Sequence, residues 1–192
     1  EGFVAGNPTG SLALLKDICS GVAARVTYEV REEEHTQSPQ ETLARNRGSC
    51  RDFAALFVDA VRSLGFGARI VSGYLFDPDR DAIGSADEGS THAWAEVYLP
   101  GAGWITFDPT NRSVGGFNLI PVAVARHIGQ TIPVAGSFVG DRELFDRMDV
   151  KVQVGPADPA RIADFGHRVA LLDLISDRHP RRIRLHVQEE SL

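Results

Sequence analysis

Phe53, Phe57, Ala60, Val61 and Leu64 recur at three- and four-residue intervals, so Cys50 to Leu64 reads as an amphipathic helix with one broad buried stripe. Gly65 and Gly67 end it. Upstream, Leu12, Leu15, Ile18 and Val22 carry the same period and predict a helix over Ser11 to Ala24. Val26 to Val30 follows as a short strand, and the polar run from Arg31 to Gln40 as an exposed loop. Ser38 is placed to cap a short helix over Gln40 to Arg45, with Pro39 at its first position and Glu41 three residues after the cap. Residues 1 to 9 read as a loop.

Beyond the central helix, Ala68 to Phe76 reads as a strand and a long loop runs to Ser90. Strands His92–Leu99 and Trp104–Asp108 are joined by the tight Pro100-Gly101-Ala102-Gly103 turn. Further short strands are expected near Val122–Ala125 and Val150–Val154. After Gly155 the pattern changes. Asp158-Pro159 opens a helix whose Ile162, Phe165, Val169, Leu172 and Ile175 share a face through Ser176; Pro180 ends it, and Ile183–Val187 forms a last strand. The elements give an α+β fold, with the central helix packed on an antiparallel sheet. A core over residues 1–154 and a helix–strand extension over 155–192, packed on that core, are expected.

The hairpin permits a sharper expectation. Ala93, Ala95, Val97 and Leu99 share one face of the first strand, and His92, Trp94, Glu96 and Tyr98 share the other. The aliphatic set matches Ile105 and Phe107 on the second strand, which assigns that face to the core. His92 and Asp108 then fall together on the opposite face, provided the connecting loop is odd in length or bulged. With Leu99 opposite Gly103, Asp108 lies across from Trp94 and diagonally beside His92, within carboxylate–imidazole reach.

Composition excludes more than it selects. A hydrophobic content of 43% and a charged content of 24% are ordinary for a globular chain of 192 residues. A net charge of -6 disfavours nucleic acid as a partner, and the basic Arg178 to Arg184 stretch reads as solvated surface. No apolar run reaches the ~20 residues that span a bilayer, so no membrane partner is expected. Two cysteines offer no disulfide framework; their scarcity suits a reducing, cytoplasmic setting. The chain begins at Glu1 rather than Met, which fits a piece of a longer protein with any targeting segment upstream.

Cys50 at a helix start, His92 in a strand and Asp108 at the end of the next supply what a thiol nucleophile needs: sulfur, an imidazole base, and a carboxylate to orient that base. The helix N-terminus favours the thiolate, and its amides can donate to a developing oxyanion. Arg51 adds positive charge nearby, partly offset by Asp52. Cys19, on an apolar helical stripe, reads as a buried packing residue. Singly, each of the three also fits a packing or turn role; together, on one shared face, they point to catalysis. Asp77 to Glu88 spaces its oxygen ligands like a calcium loop, but it lacks the glycine at position six and reads as a solvated acidic loop. No CxxC or HExxH spacing supports a metal, and no cofactor is expected.

Three segments carry a family resemblance: Gly48-Ser49-Cys50-Arg51-Asp52-Phe53-Ala54, then His92-Ala93-Trp94-Ala95-Glu96-Val97-Tyr98-Leu99-Pro100, then Gly103-Trp104 through Phe107-Asp108-Pro109-Thr110-Asn111, with Ala68 to Tyr74 between the first two. They resemble the transglutaminase-like superfamily, over residues 10 to 154, and in particular its bacterial members regarded as candidate cysteine proteases. The resemblance implies a papain-like fold with Cys50 as nucleophile, His92 as general base and acid, and Asp108 as orienting residue. The expected substrate is a peptide or protein, cleaved at an amide through a thioester. Transamidation of glutamine by the same triad and a catalytically silent binding module are the alternatives. An arylamine N-acetyltransferase-like reaction fits less well. Trp94 and Trp104, if they wall the groove, favour an amine acceptor. Arg126-His127 departs from the family pattern. Gln37, Gln40 and Tyr28 remain open as oxyanion donors.

Overall fold

The computed structural model describes residues 10–31, 35–77 and 90–132, with the backbone of two further strands at 150–156 and 181–187. Two helices cover one face of an antiparallel sheet. Helix α1 (Ser11–Arg25) leads into β1 (Thr27–Tyr28); α2 (Pro39–Arg45) leads into β2 (Arg47–Gly48) and then α3 (Cys50–Ser63). Strands β3 (Ala68–Leu75), β4 (Ser90–Leu99), β5 (Gly103–Asp108), β6 (Ser113–Val114) and β7 (Leu119–Ala125) form the sheet in the order β6-β5-β4-β3-β7, and a 3-10 turn follows at Ile128–Gln130. The α+β class and the antiparallel sheet under the central helix are as the hydrophobic pattern predicts.

Periodicity explains the packing. Leu15, Ile18, Cys19 and Val22 of α1 join Phe53, Phe57, Val58 and Val61 of α3 in one buried cluster with Ile70, Ala95, Val97 and Phe107 of the sheet. Phe57 and Phe107 meet with ring centroids 5.4 Å apart, fixing the middle of α3 over β5. Ser38 caps α2 by accepting from the Glu41 amide at 3.1 Å, and Pro39 takes its first position.

The β4–β5 register is the one expected: Leu99 pairs Gly103 and Ala95 pairs Phe107 across a three-residue turn. Gly101 and Gly103 supply the left-handed backbone of that turn, at φ 84 and 80. The opposite face carries a second core of Val71, Leu75, Trp94 and Leu119, which the alternation along the hairpin did not reveal. Strand β7 creates it by pairing with β3 across a register shift at Ser72/Gly73. Gly73, which lies opposite His92, permits this approach: a Cβ there would run into the Ile120 carbonyl and the Trp94 ring.

The sequence also predicts a longer β1 than the observed pair of residues and gives no signal for β2; β1 and β2 pair in parallel as a ribbon beside the helices. Strands β8 (Val150–Pro156) and β9 (Arg181–Val187) pair antiparallel, so backbone pairing joins the two sides of the 154/155 boundary. The helix expected over Pro159–Ser176, the loop at 1–9 and most of the acidic Asp77–Glu88 loop lie outside the described residues. Among the described residues, no helix is long and apolar enough to cross a membrane.

Candidate active site

Cys50 occupies the first position of α3, after Ser49 as N-cap. The turn that presents it is held by a carboxylate two residues on. Asp52 is fully buried and accepts from the Ser49 amide at 2.8 Å and the Ser49 hydroxyl at 2.9 Å. Its other oxygen, Oδ1, accepts from the Gln37 amide at 2.7 Å, while Arg31 pairs with Oδ2 at 3.3 Å. The ion pair that Asp52 makes is with Arg31. Gly48 leaves room for this arrangement, since a Cβ there would sit 2.8 Å from the Asp52 Cβ.

His92 and Asp108 meet as the hairpin register requires. His92 Nε2 lies 2.8 Å from Asp108 Oδ2, with both residues buried. The chain after Asp108 wraps back on its carboxylate: the Thr110 amide donates to Oδ1 at 3.0 Å and Asn111 Nδ2 to Oδ2 at 2.8 Å. Asp108 is thereby fixed as an acceptor facing Nε2–H. The other imidazole nitrogen, Nδ1, is buried and makes no hydrogen bond of full geometry among the described residues. The further polar group interacting with this ring is the Cys50 thiol. One ring nitrogen is tied to the carboxylate and the other is left for the sulfur.

The electrostatics follow from this chain of contacts. Burial alone pushes the Cys50 thiol up. His92 outweighs it by hydrogen bonding and charge, helped by the Ala93 backbone and Arg51, so the thiol titrates below its ordinary 9.0. Burial opposes charge on His92 too, yet Asp108 and Cys50 raise it to about 10. Burial would raise Asp108, but the imidazole and Asn111 hold it below its usual range. Cys19 is pushed up to about 12, by burial first and the Asp108 charge second, and is buried as the packing role predicts.

The candidate oxyanion donors separate. Gln37 is buried with its Nε2 donating to the Arg47 carbonyl and to Asp52, each at 3.3 Å, and Gln40 is exposed on α2. Tyr28 pairs with Gly48 across the β1–β2 ribbon, which brings it beside the start of α3. Its hydroxyl is raised to about 12, by burial first and then by the Cys50 charge, against a lowering from Arg51. Tyr28 thus stays protonated and able to donate. The tryptophans do not wall the site as the amine-acceptor idea requires. Trp94 is buried in the second core, stacked against His92 at 6.2 Å, and Trp104 packs on Tyr98 at 5.5 Å and under Arg69 at 4.0 Å. Extended chain of about 20 Å separates Tyr98 from His92. Among the described residues, no group of three or more His, Cys, Asp or Glu side chains is arranged to hold a metal.

The family model of the transglutaminase-like superfamily matches residues 2–109, a span containing Cys50, His92 and Asp108. The chain belongs to the transglutaminase-like superfamily. An uncharacterized Mycobacterium leprae protein is 39% identical over 115 residues, covering 59% of this chain and 39% of that one. A protein-glutamine gamma-glutamyltransferase of Pseudomonas aeruginosa is 25% identical over 100 residues, covering 50% of this chain and 14% of that enzyme. The crystal structure of a candidate cysteine protease from Cytophaga hutchinsonii superposes with a TM-score of 0.54 at 27% identity, over 65% of this chain and 40% of the other. The chain spans less than half the length of the curated relatives it matches, at 39% and 47% of the first of them. These similarities place the transglutaminase-like chain among cysteine protease and transglutaminase relatives and show its papain-like fold.

Two supporting networks were not assembled by the sequence reading. Asp52 with Arg31 and Gln37 was signalled by the Ser49-x-x-Asp52 spacing, which resembles a capping box. Thr110 and Asn111 were signalled by the Asp-Pro-Thr-Asn run, a sequence suited to folding onto its own carboxylate.

Proposed function

We propose that the chain is a cysteine-nucleophile amide hydrolase acting on peptides or proteins, with Cys50, His92 and Asp108 as its triad. The observation that carries the reading is the division of the His92 ring: Nε2 bound to Asp108 at 2.8 Å, and Nδ1 left without a full hydrogen bond beside a thiol of lowered pKa. The Cys50 thiolate attacks the amide carbonyl carbon, forming the S–C bond. Charge accumulates on the carbonyl oxygen, where the Tyr28 hydroxyl and the amides at the start of α3 are the donors. As the tetrahedral centre collapses, the C–N bond breaks and imidazolium His92 gives its proton to the leaving amine. Neutral His92 then takes a proton from water, whose oxygen attacks the thioester; the acid leaves and the thiolate–imidazolium pair is restored. Asp108 holds the ring and stabilises its charged form.

Transamidation replaces that water with an amine and shares every earlier step. The Pseudomonas aeruginosa relative favours it. Hydrolysis is preferred because the cleft beside Tyr28 is open to solvent and neither tryptophan shields it. Incubation with a pool of glutamine-containing peptides, in oxygen-18 water with methylamine present, separates the two. The expected outcome is an acyl adduct on Cys50 by intact-mass measurement and heavy oxygen in the released acid. Methylamide products would favour the transferase, and absence of any adduct would sink both.

A further inference from the structure

Beside the triad lies a cleft of about 340 Å³, the same one whose access to solvent favours water as the acyl acceptor. Two of its lining residues adjoin the chemistry: Asn111 donates to Asp108, and Tyr28 feels the charge of Cys50. Val26 and Phe53 give it an apolar interior suited to methylene groups. Two polar features break that surface. Thr110 is 2% exposed, and its hydroxyl is buried with no hydrogen-bond partner among the described residues. A buried hydroxyl in that state is short of an acceptor. At the rim stands Arg112, exposed, with a single long bond of 3.4 Å from its guanidinium to the Ala23 carbonyl and no carboxylate within ion-pair distance among the described residues. Its backbone is left-handed, at φ 55, an unfavourable conformation for a residue with a Cβ, imposed by the turn that folds onto Asp108.

An apolar stem, an acceptor for Thr110 and a negative charge for Arg112 describe one ligand. We infer that this cleft is a substrate subsite for a carboxylate on the peptide flanking the scissile amide, with Arg112 as the residue that selects it. The inference deepens the hydrolase reading by naming a substrate class, and it is tested without turnover. In a chain with a net charge of -6, a cation at this rim also supplies local attraction that the surface as a whole does not.

The test uses the full chain carrying Cys50→Ala, isotope-labelled for two-dimensional NMR, with and without Arg112→Gln. The probes are acetyl-Ala-Glu-Ala-amide, its Gln counterpart, and acetyl-Ala-Ala-Ala as free acid and as amide. The expected result is about fivefold tighter binding of a carboxylate-bearing peptide than of its neutral partner, the scale of an exposed ion pair. Shifts centre on Thr110 and Arg112, and the preference disappears in Arg112→Gln while the melting temperature holds. Preference for the Glu peptide assigns the carboxylate to a side chain, and preference for the free acid assigns it to a chain terminus. Equal binding of charged and neutral peptides, a preference that survives Arg112→Gln, or no shift at Thr110 overturns the inference. Since Cys50 is absent, a failed amidase assay and a failed carboxylate site give separate results.

Discussion

Cys50→Ala abolishes amide turnover, by about 10⁵- to 10⁶-fold if it acts as removal of a covalent nucleophile does elsewhere, while the fold persists. The loss is large because the other groups act through the sulfur. His92 has no thiol to deprotonate, Asp108 orients a base without a task, and the amides of α3 meet no tetrahedral centre. The fold tolerates the change because Cys50 is only partly buried and lies outside the buried cluster that joins α1, α3 and the sheet. Alanine is also a good helix former. Peptide cleavage followed by mass spectrometry, beside a thermal melt, checks both halves. Retained activity contradicts the assignment of Cys50, and loss of folding together with activity leaves it without support.

Asp52→Ala has the largest expected effect on stability. The fully buried carboxylate receives hydrogen bonds from Gln37 and Ser49 and the charge of Arg31, whose side chain is 7% exposed. Removing one member of a buried ion pair leaves the other charged and desolvated, at a cost of about 3–5 kcal/mol. Asp52→Asn keeps the shape but not the charge, and an intermediate loss is expected. Urea unfolding of the three proteins gives the order wild type, Asn, Ala. The network also holds the turn presenting Cys50, so at temperatures where Asp52→Asn remains folded its alkylation at Cys50 slows as well. Equal unfolding midpoints for wild type and Asp52→Ala would show that this carboxylate does not anchor the turn.

The parts of this site that could be read from sequence are those set by strong periodicities. Alternation along β4 and β5, with an odd turn between them, is sufficient to bring His92 to Asp108, because a one-residue slip would reverse every side chain. The 3.6-residue period of α3 and its glycine break put Cys50 at the helix start. What sequence left illegible depends on short or long-range pairing. The β1–β2 ribbon is two residues on each strand, too brief to leave a pattern, yet it carries Tyr28 to the start of α3. The second core over Trp94 requires β7 to reach β3 past Gly73, a pairing between strands far apart in the chain. Trp94 and Trp104 share a face of the sheet by alternation along β4 and β5, but β7 buries one and leaves the other 42% exposed.

The most direct measurement is the rate of Cys50 alkylation by iodoacetamide across pH 4 to 9 in wild type and His92→Ala, with each cysteine resolved by peptide mass spectrometry. In wild type the thiolate is stabilised by an imidazole raised to about 10, so His92 stays charged throughout the range and the labelling curve rises below 9.0. Removing the imidazole leaves burial dominant, so the curve moves to higher pH and neutral-pH labelling nearly vanishes. Cys19, held near 12 by burial, stays unlabelled in both proteins and serves as the internal reference. A wild-type curve at the ordinary thiol value, unchanged by His92→Ala, would contradict an activated Cys50 thiolate.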